Sequence, residues 1–320
     1  MSNKMNNKNF PKIKVAAVQA EECFLDLDAS IEKSCRLIEQ AAEQGVDLIV
    51  FPECYIPGYP QWYTYPINRA HASELDKKFY LNSLSLKDPG MRKLQEKCEQ
   101  HHINAVLGID EAEPGTIGSI YNCHVYVKSD GSIAGKHQKY VPTPFTERLT
   151  QAPGKTGYQN SFTTDFGNVS SLICGENSNP LGIYAALTEY PVVHATSWPS
   201  NFGLNSNMQN AIKLSTRAVA YTLKAYVVNS VSRISDTYIK AMEFDDASLE
   251  YIKKERSLKR GATIFGPLGN EIACGDGDDN EILVAELELE NVIKPKMFQD
   301  FAGHYNRPEI FAPLFEKYNK

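Results

Sequence analysis

Glu53, Lys139, Glu147 and Cys174 are four side chains of complementary chemistry spread over the first two thirds of this 320-residue sequence. A cysteine near its free pKa is mostly thiol at neutral pH, so attack on an electrophilic carbon needs a base or a nearby cation. Glu53 is the candidate base. Lys139 is the candidate cation, able to favour the thiolate and to meet the negative charge that develops on the electrophile's heteroatom, helped by the backbone N–H of Gly175. Glu147 would hold Lys139 charged and oriented. Taken one at a time, each residue has a plainer reading. Cys174 could be a small buried hydrophobe, Glu53 a solvated turn carboxylate, and Lys139 with Glu147 a surface ion pair.

The elements that must position these residues can be read from the flanking sequence. Residues 169–173 (VSSLI) are a short β-prone run that ends abruptly in Cys174, Gly175 and Glu176, with helix-start residues following. A strand's carboxyl end is where α/β proteins place ligands. Glu53 follows the apolar run DLIVF (47–51), Lys139 closes the run 133–139, and the run 191–197 leads into Trp198. Pro142 and Pro144 lie between Lys139 and Glu147, which forbids a continuous helix or strand and stiffens that loop. Tyr55, Tyr59, Trp62, Tyr63 and Tyr65 crowd the loop after Glu53 and are expected to wall a small-molecule pocket.

The rest of the chain alternates. A strand at 13–20 precedes a helix that starts at Asp28 or Ser30, faces inward through Ile31, Cys35, Ile38 and Ala42, and ends at Gly45. A helix is expected over 83–102, strands over 104–110 and 119–127, and an antiparallel return over 133–139 after the turn at 128–131. Helices at 180–189 and 207–224 bracket the strand at 191–197, and a strand at 226–231 follows. Strands at 262–265 and 271–274 flank the turn 266–270, and a last strand spans 282–289. This alternation predicts an α/β fold. His101 and His102 have no third ligand at a suitable spacing, so they read as a helix C-terminus rather than a metal site. The acidic run GDGDDN (275–280) reads as a solvated turn, because Glu281 and Leu287 occupy the positions where a calcium loop needs Gly and Glu.

Composition narrows the partners. A net charge of −6 with no long Lys/Arg cluster argues against nucleic acid or an anionic membrane surface. Seven scattered cysteines without C-x-x-C pairs suit a reducing compartment. Residues 1–11 read as a disordered polar leader and no apolar run is long enough to span a bilayer, which together predict a soluble cytoplasmic protein. With 42% hydrophobic content and no repeat or linker, residues 12–320 are expected to form one domain, with a C-terminal extension from about 290.

Glu53 in VFPE, Lys139 in HQKYVPTPFTER and Cys174 in LICGEN resemble, in order and approximate spacing, the Glu-Lys-Cys signature of the nitrilase family of carbon–nitrogen hydrolases. The segment GHYNRP (303–308) is similar to one typical of nitrilases proper. The resemblance covers nearly the whole chain from Ile13 and implies a four-layer α-β-β-α sandwich, two mixed sheets face to face with helices outside. It implies no metal and no organic cofactor, and assembly into a homodimer or a larger spiral homo-oligomer. It assigns Cys174 as nucleophile, Glu53 as general base, Lys139 as the cation that stabilises the tetrahedral intermediate, and Glu147 as a supporting carboxylate. The implied reaction is hydrolysis of a nitrile to the carboxylic acid and ammonia through a covalent thioimidate and thioester. An amidase or N-carbamoyl hydrolase using the same residues is the nearest alternative, and a non-catalytic scaffold is the alternative from another class. Tyr59, Gly175 and Trp198 are the expected substrate contacts. Two positions depart from the family pattern: Gly175 stands where Trp is common, and Gln138 where Arg is frequent.

Overall fold

A computed structural model of the chain describes residues 10–203, 208–258, 261–275 and 280–318. The expected leader, Phe10 and Pro11 apart, and most of the acidic turn at 275–280 lie outside the described residues. The strands are β1 (Lys12–Val18), β2 (Leu48–Val50), β3 (Asn104–Ala112), β4 (Ile120–Val127), β5 (Ile133–Gln138), β6 (Ser161–Thr164), β7 (Gly167–Ile173), β8 (Val193–Trp198), β9 (Tyr226–Val231), β10 (Thr263–Phe265), β11 (Glu271–Cys274) and β12 (Ile282–Glu288). They form two six-stranded sheets, ordered β12-β1-β2-β3-β4-β5 and β11-β10-β9-β8-β7-β6. Each sheet has a parallel centre, β1-β2-β3 in the first and β7-β8-β9 in the second, flanked by antiparallel strands.

The period-2 geometry of a strand sends alternate side chains to opposite faces, and here both faces are covered. In β1, Val15 and Ala17 enter a core shared with Val169, Val193, Ala195 and Val228 of the second sheet. Ala16 and Val18 enter a different core, packed under the helices α1 (Leu27–Glu43) and α3 (Pro89–His101). On the other side, Val227 of β9 packs with Ala186, Leu187, Val219 and Leu223 from α4 (Pro180–Thr188) and α5 (Met208–Leu223). Helices, sheet, sheet, helices: the layers are those of the α-β-β-α sandwich.

Several local expectations shift. Helix α1 begins earlier than Asp28, because the Asp26 side chain accepts from Ala29 N and caps it. Its buried face runs through Ser34, Leu37 and Ala41 rather than Cys35 and Ala42. The helix expected over 83–102 starts only at Pro89. Before it, Leu84 N donates to Asp110 O, and the Ser85 N to Asp88 Oδ2 bond closes a turn. Three helices were not expected: α2 (Arg69–Asn82), α6 (Asp236–Met242) and α7 (Asp246–Ser257). The remaining chain forms α8 (Ile293–Phe298) and the short α9 (Pro308–Phe311). His101 and His102 close α3 as expected, with His102 in the left-handed conformation.

Candidate active site

Glu53, Lys139 and Cys174 each lie just past the carboxyl end of a strand, β2, β5 and β7 respectively, and Trp198 closes β8. Two glycines let the first two segments approach their neighbours. A Cβ on Gly108 would stand 1.8 Å from Pro52 O, so only glycine lets β3 pass under the residue before Glu53. A Cβ on Gly154 would stand 2.4 Å from Gln138 O, and the Gly154 N–H donates to Lys139 O at 2.9 Å. Cys174 has φ of +52°, a conformation that β-carbon sterics disfavour, and it begins the 3-10 turn Cys174–Ser178. The Asn177 side chain holds that turn by donating to Leu172 O and Cys174 O, both at 3.0 Å.

The charged cluster is buried and compact. Lys139 Nζ donates to Glu53 Oε1 at 2.7 Å, to Glu147 Oε1 at 2.6 Å and to Thr143 Oγ1 at 3.1 Å, which uses all three of its protons. Asn122 Nδ2 donates to Glu53 Oε1 at 2.7 Å, and the Tyr59 hydroxyl donates to Glu147 Oε1 at 2.7 Å. Glu147 Oε2 accepts from Thr143 N at 3.2 Å. Glu53 Oε2 is buried and has no hydrogen-bond partner among the described residues, so one carboxylate oxygen is left available to a substrate, water or thiol.

Electrostatics sort the groups. Burial pushes the Glu53 carboxyl up to about 7; the Lys139 ammonium pulls against this rise and the Glu147 charge adds to it. Burial works the same way on Glu147, but Lys139 overrides it and holds that carboxyl below its ordinary value. Lys139 is also buried, yet the two carboxylates keep it charged far beyond neutral pH. Burial, and then the Glu53 charge, push the Cys174 thiol well up, while Lys139 and the Gly175 N–H favour the thiolate. The arrangement therefore holds a protonated thiol beside a fixed cation and a carboxyl that changes state near neutrality.

Of the expected substrate contacts, Trp198 packs with Cys174, Ile173, Met208, Ile212 and Val231, with Phe202 at the edge of this cluster. The Trp198 indole N–H is buried without a partner among the described residues. The Tyr59 ring lies 6.1 Å from that of Phe202. Gly175 is exposed, and an added Cβ there would meet nothing within 4 Å. The aromatic loop does not wall the cluster as a whole. Only Tyr59 bonds to Glu147, whereas Tyr55 donates to Glu21 O, Trp62 and Tyr63 to Asp76, and Tyr65 to Asn201. Their polar tips find partners in the surrounding shell, as buried Tyr and Trp require. Sequence reasoning missed Asn122, Thr143 and Phe202. Asn122 lies in a strand buried along its whole length, and nothing in the local pattern marks it out.

Comparison with known proteins identifies the family. The sequence profile described as Carbon-nitrogen hydrolase matches residues 14–296. An aliphatic nitrilase from Rhodococcus rhodochrous is 33% identical over 98% of this chain and 81% of its own length. An arylacetonitrilase from Hypocrea virens is 32% identical over 93% and 90%. A nitrilase from Bacillus sp. strain OxB-1 is 31% identical over 98% and 90%. Among solved structures, a carbon-nitrogen hydrolase from Helicobacter pylori G27 superposes with a TM-score of 0.71 at 18% identity, covering 96% of this chain and 99% of that one. Saccharomyces cerevisiae Nit3, a member of branch 10 of the nitrilase superfamily, does so at 0.66 with 21% identity, covering 90% and 94%. These two support the fold alone. From the profile match and the relatives, the chain belongs to the carbon-nitrogen hydrolase family, in its nitrilase branch.

Proposed function

We propose that this hydrolase converts an organic nitrile to the carboxylic acid and ammonia, with Cys174 as nucleophile. The observation that carries the reading is the buried ion cluster of Lys139, Glu53 and Glu147 within electrostatic reach of the Cys174 thiol, with one Glu53 oxygen unpaired. The names of the relatives, aliphatic nitrilase and arylacetonitrilase, support nitriles as the substrate class.

Cys174 Sγ attacks the nitrile carbon, the carbon–sulfur bond forms, and one carbon–nitrogen π bond breaks toward nitrogen. Glu53 takes the thiol proton and passes it to that nitrogen, giving a neutral thioimidate. Lys139 and the Gly175 N–H face the charge that develops in between. Glu53 then removes a proton from water as it adds to the carbon. Glu53 gives that proton to the nitrogen, the proton of the new hydroxyl follows as the tetrahedral intermediate collapses, the carbon–nitrogen bond breaks to release ammonia, and a thioester remains. A second water, activated in the same way, breaks the carbon–sulfur bond and restores the thiol. A base with pKa near 7 suits each of these transfers.

The test is a panel of aliphatic, aryl and arylaliphatic nitriles with matched amides, scored by ammonia release and by intact mass of the trapped acyl-enzyme. Nitrile turnover with an adduct on Cys174 is expected; efficient amide turnover with inert nitriles would assign the chain to amide hydrolysis instead. We further propose self-association, as a homodimer or a larger spiral. Leu181 and Tyr184 of α4, Leu214 and Tyr221 of α5, and Phe311 and Phe315 of the tail are large apolar side chains left exposed, which supports burial against another copy. Light scattering that returns a monomer at micromolar concentration would refute this.

A further inference from the structure

The site is assembled from two sheets, with Glu53 and Lys139 carried by one and Cys174 by the other. Something must fix the distance between the cation and the nucleophile, and the polar groups of the turn after Cys174 divide that work unequally. Asn177 bonds to Leu172 O, Cys174 O and His194, all on the second sheet or its own turn, so it shapes the turn without tying it across. The neighbouring Glu176 reaches the other sheet. Its Oε1 accepts from Tyr140 N at 2.6 Å, and its Oε2 accepts from Ile173 N at 2.9 Å and lies 2.8 Å from His137 Nε2.

The positions of these partners matter more than their number. Tyr140 follows Lys139 directly in the chain, and Ile173 directly precedes Cys174. His137 is the second residue before Lys139 on β5, is fully buried, and meets the Tyr140 ring edge-on at 4.8 Å between centroids. One carboxylate therefore grips the main chain beside the cation and the main chain beside the nucleophile at once. Hydrogen bonds to a charged acceptor are short and strong, and a buried one cannot exchange its partners for water.

We infer that Glu176 is a positioning residue that sets the separation of Lys139 from the Cys174 sulfur, with His137 as its support. This rests on the catalytic roles proposed above for Lys139 and Cys174. A carboxylate suits the task because its two oxygens accept from both sides. Glutamine would turn an N–H₂ donor toward one of the two backbone N–H groups, and aspartate would withdraw both oxygens by about 1.5 Å, one carbon–carbon bond. Misplacement of about an ångström costs on the order of 100-fold in rate.

The experiment compares Glu176→Gln, Glu176→Asp and His137→Phe with the parent protein in two assays. The first is steady-state turnover of the best nitrile in the panel. The second is site-resolved alkylation of Cys174 by iodoacetamide against pH, read by peptide mass spectrometry. For folded Glu176 variants, kcat is expected to fall about 100-fold with KM changed less than about threefold. Cys174 alkylation should slow about tenfold, with its midpoint moved to higher pH as Lys139 loses its hold on the thiolate. His137→Phe, which leaves the two backbone bonds in place, should show the same pattern on a smaller scale, about tenfold in kcat and about threefold in alkylation. A folded Glu176→Gln protein with kcat and Cys174 alkylation both within threefold of the parent overturns the inference. If neither Glu176 variant folds, His137→Phe decides, and parental values in both assays overturn it. Should the parent turn over no nitrile, the proposed substrate fails while the alkylation profile still answers for Glu176.

Discussion

Replacing Lys139 by methionine keeps the length and apolar stem of the side chain and removes its charge. The ammonium it removes is 2.7 Å from Glu53 Oε1 and 2.6 Å from Glu147 Oε1, and both carboxylates are fully buried. At an effective dielectric constant of about 20 each contact carries roughly 6 kcal/mol of gross attraction. Desolvation takes back much of that, and removing one partner of a buried pair costs about 3–5 kcal/mol because the other charge is left uncompensated. In Lys139→Met the carboxylates face only neutral donors, Asn122 for Glu53 and Tyr59 with Thr143 N for Glu147. Each relieves its burial by binding a proton. Glu53 rises further above about 7, and Glu147 moves from below its ordinary value to above it. A carboxyl whose pKa is raised by folding stabilises the folded state fully below its unfolded value, and that stability is lost as pH rises through the folded pKa. The penalty of the variant should therefore be small at pH 5 and reach about 3–5 kcal/mol at pH 8. Guanidinium unfolding of parent and variant at pH 5, 6.5 and 8 measures it. A penalty equal at pH 5 and pH 8 within about 0.5 kcal/mol would refute the claim that Lys139 favours the charged form of both carboxylates.

Other predictions bear on the chemistry. With Glu53 required as carboxylate and its pKa raised to about 7, kcat/KM should fall about tenfold per pH unit on the acid side, with the bend near 7; a limb near pH 4.5 would show that burial does not hold Glu53 up. Glu147→Gln removes a charge that pushes Glu53 upward, so the acid limb should move to lower pH while kcat drops about 100-fold, and an unmoved limb counts against the coupling. Cys174→Ala should abolish ammonia release in a protein that still unfolds cooperatively; continued release rules out the nucleophile. Gly175→Trp should change stability by no more than about 0.5 kcal/mol, since a Cβ there meets open space, and should narrow the range of nitriles accepted. An unchanged substrate profile would show that the glycine is incidental.

Among the candidate site residues, Glu53 and Cys174 were legible because each follows a β-prone run that stops abruptly, Lys139 and Glu147 because two prolines hold them in one stiff loop, and the class of fold was legible because strands and helices alternate. The pairing of two sheets was not. Strands such as β2, apolar and buried at every position, read as continuous apolar runs, and a run covered on both faces does not say whether a helix or a second sheet covers it. Helix α2 escaped notice for the opposite reason, since only Ala72, Leu75 and Phe79 of its fourteen residues are buried and the stripe is too thin to give a helical period. Helix α7 buries Ser248 and Glu255 beside Ile252, so its inner face is largely polar. The aromatic loop misled in a different way. Clustering in sequence suggested a shared wall, but the rings fan out, and hydroxyl and indole partners at Glu21, Asp76 and Asn201 draw all but Tyr59 away from Lys139. Gly108 is a further blind spot, because the Pro52 carbonyl that demands a glycine there comes from another strand's loop.

The antiparallel pairing of β12 with β1 joins Ile282 to Val18 and Glu288 to Lys12, across almost the full length of the chain. The sheet that carries Glu53 and Lys139 thus stays one strand short until residues beyond 280 have been synthesised, long after Cys174 has left the ribosome. A contact of that sequence separation costs loop-closure entropy before it stabilises anything, which places completion of the first sheet late in folding.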